Sequence, residues 1–140
     1  MRVPLVLQRM QALFNPPGYL LAILVLGGLL RLAHLMALRS TLWFNNLDLD
    51  PAYYDAWAQR IAAGDWLGSR PFFVDPFYAY FLGTLYALFG HNLLVVRLVQ
   101  LGIGLCTIIL VFVLGAHIGG RTIGLIAAFG YAIYSPAIFY

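Results

Sequence analysis

The sequence predicts an all-α integral membrane fold: about three transmembrane helices, with two interfacial amphipathic helices in the first outer loop. Three observations carry this expectation. Hydrophobic residues make up 63% of the 140 and charged residues 9%, against roughly 25% charged in an ordinary soluble domain. Long apolar runs recur along the chain, each of the length that crosses a hydrocarbon core. All five acids, Asp48, Asp50, Asp55, Asp65 and Asp75, fall in one stretch between two of those runs.

Residues 1–17 carry Arg2 and Arg9 and end in Asn15-Pro16-Pro17, a helix-start signal. The run 18–38 is expected to be the first transmembrane helix, with residues 1–17 cytoplasmic because arginine favours that side. A signal peptide is the competing reading, but the run is too long and no small-x-small cleavage site follows it. Residues 39–92 then form the outer loop. Asp50-Pro51 starts a helix over 51–63, with Gly64 as its stop. Tyr53, Tyr54, Trp57 and Ile61 recur on one stripe, while Asp55, Gln59 and Arg60 turn the other way, a pattern suited to the membrane interface.

Asp75-Pro76 opens a second loop helix over 76–89. At roughly 21 Å it is short for a span, so it is expected to lie on the outer leaflet with Tyr78, Tyr80 and Tyr86 as belt residues. The runs 93–118 and 123–140 complete the count as second and third spans, joined inside by the Gly119-Gly120-Arg121-Thr122 turn. The alternative is four transmembrane helices, with Pro71 to Val74 extending the 76–89 helix to span length. The last run reaches Tyr140 without a polar flank, so the sequence is expected to be a piece of a longer protein.

Composition excludes several classes of function. The eight arginines are scattered singly and there is no lysine, so no basic patch exists for nucleic acid. The single Cys106 sits in an apolar run, which rules out a disulfide framework or a thiolate metal cluster. His34 and His117 lack a partner at ligand spacing and are expected to be structural; His91-Asn92 reads as a turn.

Asp48 and Asp50 are the candidate reactive pair. Two apart in an extended lead-in, their carboxylates point to the same side. Such a pair can share a divalent cation, or one can act as base while the other tunes it. The structural alternative is that Asp50 caps the helix. Asp55, Asp65 and Asp75 are expected to serve solvation and capping. Arg31 lies about eight residues inside the first span, where a guanidinium faces a bundle interior or polar cavity and suits a lipid-linked phosphate; snorkelling or pairing with an acid is its alternative. Arg97, one turn inside the next span, is expected to snorkel.

The order of these features resembles the amino-terminal part of the GT-C glycosyltransferases, in the branch of the protein O-mannosyltransferases and the lipid A aminoarabinose transferase. The matching residues are Asp50, Tyr54, Gly64-Asp65-Trp66, Pro76, Leu88-Phe89-Gly90, Arg97, Gly120-Arg121 and Ser135-Pro136, which cover roughly residues 18–140. The resemblance implies a multi-pass enzyme of the bacterial inner membrane. It would transfer a sugar from a polyprenyl-phosphate donor at the outer face to a lipid, glycan or protein acceptor, with membrane lipids as its other partners and no nucleic acid.

It further implies that Asp50 is the catalytic base or a metal ligand, with Asp48 assisting, and that a divalent cation (Mg or Mn) is the candidate cofactor. Arg31, Tyr54, Arg60 and Arg97 are the candidate substrate-binding residues. Family members often carry a charged residue before the proline that opens the surface helix; here it is Asp75. They also carry a second catalytic acid after the third span, beyond Tyr140. Two readings from other classes stand beside this one: a transporter or flippase subunit handling lipid-linked sugars, and an assembly subunit of a membrane complex.

Overall fold

The computed structural model describes residues 18–67 and 74–139, so the segment expected to be cytoplasmic, 1–17, and the stretch around Pro71 lie outside the described residues. The described residues form helices only: α1 (Gly18–Arg39), a 3-10 turn (Leu42–Phe44), α2 (Leu49–Ala62), α3 (Pro76–Phe89), α4 (Leu93–Gly119), α5 (Arg121–Ile133) and α6 (Pro136–Phe139). Two of them, α1 with 22 residues and α4 with 27, are long and apolar enough to cross a membrane. Leu21, Leu29 and Met36 on α1, and Leu110, Leu114 and Ile118 on α4, are exposed; this is apolar surface of the kind a lipid phase covers.

The expected third span, 123–140, is not one helix. α5 has 13 residues and stops at Ile133, and Tyr134 turns out of the helix at ψ 110. The cause is Pro136: it lacks an N–H to continue the ladder and disfavours helical geometry at Ser135. Among the described residues two helices reach span length, and the Pro71 stretch of the four-helix alternative lies outside them.

The start of α2 also differs from expectation. The N-cap is Asp48, whose carboxylate accepts the Leu49 N–H at 2.9 Å, and Asp50 lies within the first turn. Pro51 thus occupies the third helical position, where a missing N–H costs nothing. α3 begins at Pro76 and is closed by Gly90, whose φ of 73° admits a glycine cheaply.

The chain divides into two compact units, Met1–Met36 with Leu101–Tyr140, and Ala37–Gln100. In the first, Leu20, Ile108, Phe112, Ala116, Ala128 and Ala132 form the core. Small residues let α4 and α5 touch backbone to backbone, the usual device where lipid gives helices no hydrophobic reason to associate. A Cβ on Gly124 would lie 2.6 Å from the Phe112 carbonyl oxygen and 2.8 Å from the Ala116 nitrogen. Gly124→Ala is therefore expected to cost about 1–3 kcal/mol, read as a lower unfolding midpoint in a denaturing-detergent titration. Gly102, around which a Cβ meets nothing within 4 Å, is the control: Gly102→Ala is expected to stabilise by about 0.5–1 kcal/mol. Equal midpoints for the two variants would show that α4 and α5 do not pack this way.

In the second unit α2 and α3 lie side by side. Ala58, Leu82, Tyr86 and Val96 make one cluster, and Trp57, Ile61 and Ala79 another. Gly83 permits the approach, since a Cβ there would fall 2.6 Å from Ile61 Cγ2.

Candidate functional site

The second unit carries the carboxylates. Asp48 is extended (φ −130°, ψ 157°) and Leu49, its neighbour, is the one non-glycine residue with positive φ among the described residues, at 53°. An L-residue in that region costs about 1–2 kcal/mol. Strain held next to reactive groups is the kind of outlier from which a functional hypothesis starts. Asp48 and Asp50 are both exposed. They are not related by strand alternation as expected, because Asp50 already has helical geometry.

Helical spacing decides which side chains stand near Asp50. Tyr53 and Tyr54 are three and four residues beyond it, so their Cβ atoms lie about 5–6 Å from its own. Tyr54 is half-buried, its ring 5.1 Å from that of Tyr78. Arg60 is exposed at the other end of α2, about 15 Å along the axis from Asp50. The helix thus brings Tyr54 to Asp50 and keeps Arg60 away.

A second polar group is not legible in the sequence. Asp55, expected to be solvated, is only 15% exposed and is surrounded by donors. Its carboxylate accepts the Tyr86 hydroxyl at 2.5 Å, Gln59 Nε2 at 2.7 Å and His91 Nε2 at 2.9 Å. Tyr86, expected in an interfacial belt, is buried beneath it. Burial pushes the Asp55 carboxyl up, but the hydrogen bonds from Tyr86, His91 and Gln59 outweigh it and hold the group below its ordinary 3.8. Burial and the neighbouring Asp55 push the Tyr86 phenol up, so it remains the donor.

An ionised carboxylate only accepts, so His91 Nε2 carries a hydrogen and the 3.4 Å approach of Gln59 Nε2 to it is packing. The arrangement ties α2 to the α3–α4 turn, where Asn92 Oδ1 caps α4 by accepting from Leu94 and Val95. The Asp55–Gln59 pair at i, i+4 is the one local clue.

A carboxyl with a depressed value stabilises the fold fully above its unfolded value and loses that contribution as pH falls through its folded one. Asp55→Asn is accordingly expected to be less stable than wild type at pH 7. The gap should close as pH drops below about 4. Unfolding midpoints at the two pH values check this; a gap of constant size would show that the Asp55 charge is not what holds the turn.

Arg97 reaches from the second turn of α4 to the 3-10 turn. Its Nη2 donates to the Phe44 carbonyl at 3.0 Å, and the guanidinium sits 4.0 Å from the centre of the Phe44 ring. Nη1 is buried and has no hydrogen-bond partner among the described residues. Gln100 Nε2 donates to the Tyr78 hydroxyl at 2.9 Å.

Arg31 belongs to the other unit and is buried, with 4% exposure. Its Nη1 donates to Gly27 O at 3.1 Å and Ala132 O at 3.4 Å, and Nη2 to Ala137 O at 3.2 Å. Tyr131 lies 5.9 Å beneath the guanidinium. These carbonyls flank the break between α5 and α6. The interior position expected for Arg31 is found, and among the described residues its hydrogen-bond partners are backbone carbonyls.

Among the described residues, no group of three or more His, Cys, Asp or Glu could hold a metal ion. Asp48 and Asp50 could offer two carboxylates to a magnesium-like ion, which characteristically takes one or two and fills the remaining positions with water and substrate phosphate. No family model, no curated protein and no solved structure matches the chain. The GT-C resemblance therefore rests on the order and spacing of the motifs alone.

Proposed function

We propose that this chain is the membrane module of a GT-C-type glycosyltransferase, multi-pass in the bacterial inner membrane. In this reading it passes a sugar from a polyprenyl-phosphate donor to a lipid, glycan or protein acceptor at the outer face. The observation that carries the reading is Asp50: an exposed carboxylate in the first turn of a helix that lies, in chain order, between two helices of span length.

The chemistry asks for a proton acceptor beside a departing phosphate. Asp50 takes the proton of the acceptor hydroxyl as its oxygen attacks the anomeric carbon. The bond from that carbon to the phosphate oxygen breaks, and its electron pair leaves with the polyprenyl phosphate, inverting the centre. Arg97 shares the compact unit of Asp50 and is the candidate to balance the phosphate charge, whereas Arg60 stands too far along α2 from Asp50 to do so. A divalent cation held by Asp48 and Asp50 would supply further charge neutralisation there.

The test is sugar transfer from a labelled polyprenyl-phosphate donor in membranes expressing the gene product, comparing wild type with Asp50→Asn at equal insertion. The break between α5 and α6 favours a second reading, since discontinuous helices are a mark of transporters. Binding and movement of the lipid-linked sugar without turnover would select it.

A further inference from the structure

The aromatic rings of α2 and α3 form one connected set on the side of α2 that carries Asp50. Tyr53 stands 6.1 Å from Tyr54 and 6.0 Å from Trp57, steeply inclined to both. Trp57 and Trp66 meet the same partner, Tyr80, at 6.5 and 5.9 Å, and the Tyr80 hydroxyl donates to the Trp66 carbonyl. Trp57 is the buried hub, while Tyr53 and Trp66 stay 45% and 49% exposed. Their rings are therefore braced by other rings, with little rotamer freedom left to lose, and remain open to a ligand.

The exposed flat face of one braced ring, Tyr53, with a carboxylate one helical turn away, fits a pyranose ring. The sugar's C–H face lies on the ring and its hydroxyls donate to the carboxylate oxygens. Asp50 and Tyr53 are three residues apart in α2, within about 5–6 Å at Cβ, which matches the width of such a ring. A bilayer belt is the competing use of exposed Tyr and Trp.

We propose that Tyr53, braced by Tyr54 and Trp57, is a carbohydrate-stacking seat that holds a hexopyranose with its hydroxyls toward Asp50. Its purpose rests on the transferase reading, but its occupancy is measurable without transfer. With three tryptophans in the chain, Trp43, Trp57 and Trp66, intrinsic fluorescence of the protein in nanodiscs reports binding of methyl α-glucopyranoside, methyl α-galactopyranoside and methyl α-mannopyranoside.

At least one glycoside is expected to give a saturable change. Tyr53→Phe should keep it, and Tyr53→Ala should weaken it about tenfold. Tyr53→Leu, which keeps bulk and removes the flat face, should behave as alanine does, with helicity by circular dichroism unchanged. No saturable change with any of the three, or unaltered binding in Tyr53→Ala and Tyr53→Leu, would overturn the seat. So would a Tyr53 requirement seen only for partition onto lipid vesicles. Glycoside binding without transfer in wild type would sink the transferase and leave the seat standing. Transfer that needs Asp50 but shows unchanged KM and glycoside binding in Tyr53→Ala would do the reverse.

Discussion

Asp50→Asn is expected to lower sugar transfer by about 10²–10⁴-fold, the range that a positioned general base contributes. Asparagine matches aspartate in size and is tolerated at a helix start, and Asp50 makes no core contact because it is exposed. The charge near the helix N-terminus is worth only about 0.3–1 kcal/mol, so folding and insertion should survive. The loss should appear in kcat with KM little changed, since a proton acceptor matters in the transition state and not in ground-state binding.

Asp48→Asn sharpens the test. Asparagine caps as well as aspartate does, so the Leu49 N–H keeps its partner and only the charge is lost. A drop in transfer from that variant assigns Asp48 an electrostatic or metal-holding role; an unchanged rate assigns it the cap alone. Undiminished transfer in Asp50→Asn at equal insertion would remove Asp50 from the mechanism; absence of transfer in wild type would remove the reading of the chain as a transferase.

The parts of the fold that are legible in the sequence are those with local punctuation. α3 occupies Pro76–Phe89, the range expected, because Asp75-Pro76 and the positive-φ Gly90 mark both ends. α1 and α4 follow from apolar length. The start of α2 comes two residues earlier than expected, because Pro51 reads as a first helical position when the first turn tolerates proline anywhere. Ser135-Pro136 stands out as a motif, yet hydrophobicity suggests continuous helix through it. There the backbone rule of proline overrides the apolar pattern.

The site divides in the same way. Asp50 with Tyr53 and Tyr54 is a matter of helical period and needs no tertiary knowledge. The Asp55 cluster joins residues 36 apart, and nothing in periodicity announces such a contact. Arg31 is legible as interior because a buried arginine is rare, but its partners are not. Backbone carbonyls belong to every sequence, so only the α5–α6 break shows which ones need a donor.

Arg31 carries the second large effect. Arg31→Leu is expected to lose about 3–5 kcal/mol, from hydrogen bonds between a charged donor and carbonyls at roughly 1.5–3 kcal/mol each, scaled down because they share one side chain. The cost falls at the break: with Tyr134 out of the helix, the Ala132 carbonyl beside it has no residue of its own ladder to accept from, and Ala132 is fully buried. Leucine supplies bulk but no donor.

Arg31→Lys should recover part of the loss, since an ammonium offers donors but lacks the fork that reaches Ala132 and Ala137 together. Denaturing-detergent midpoints of the two variants against wild type measure this. A stable Arg31→Leu that fails to bind or transfer the lipid-linked sugar would show the opposite division of labour, with the guanidinium held for a phosphate and the carbonyls served otherwise. A stability loss graded Leu then Lys then Arg makes Arg31 the donor that allows a proline-broken helix to stay buried.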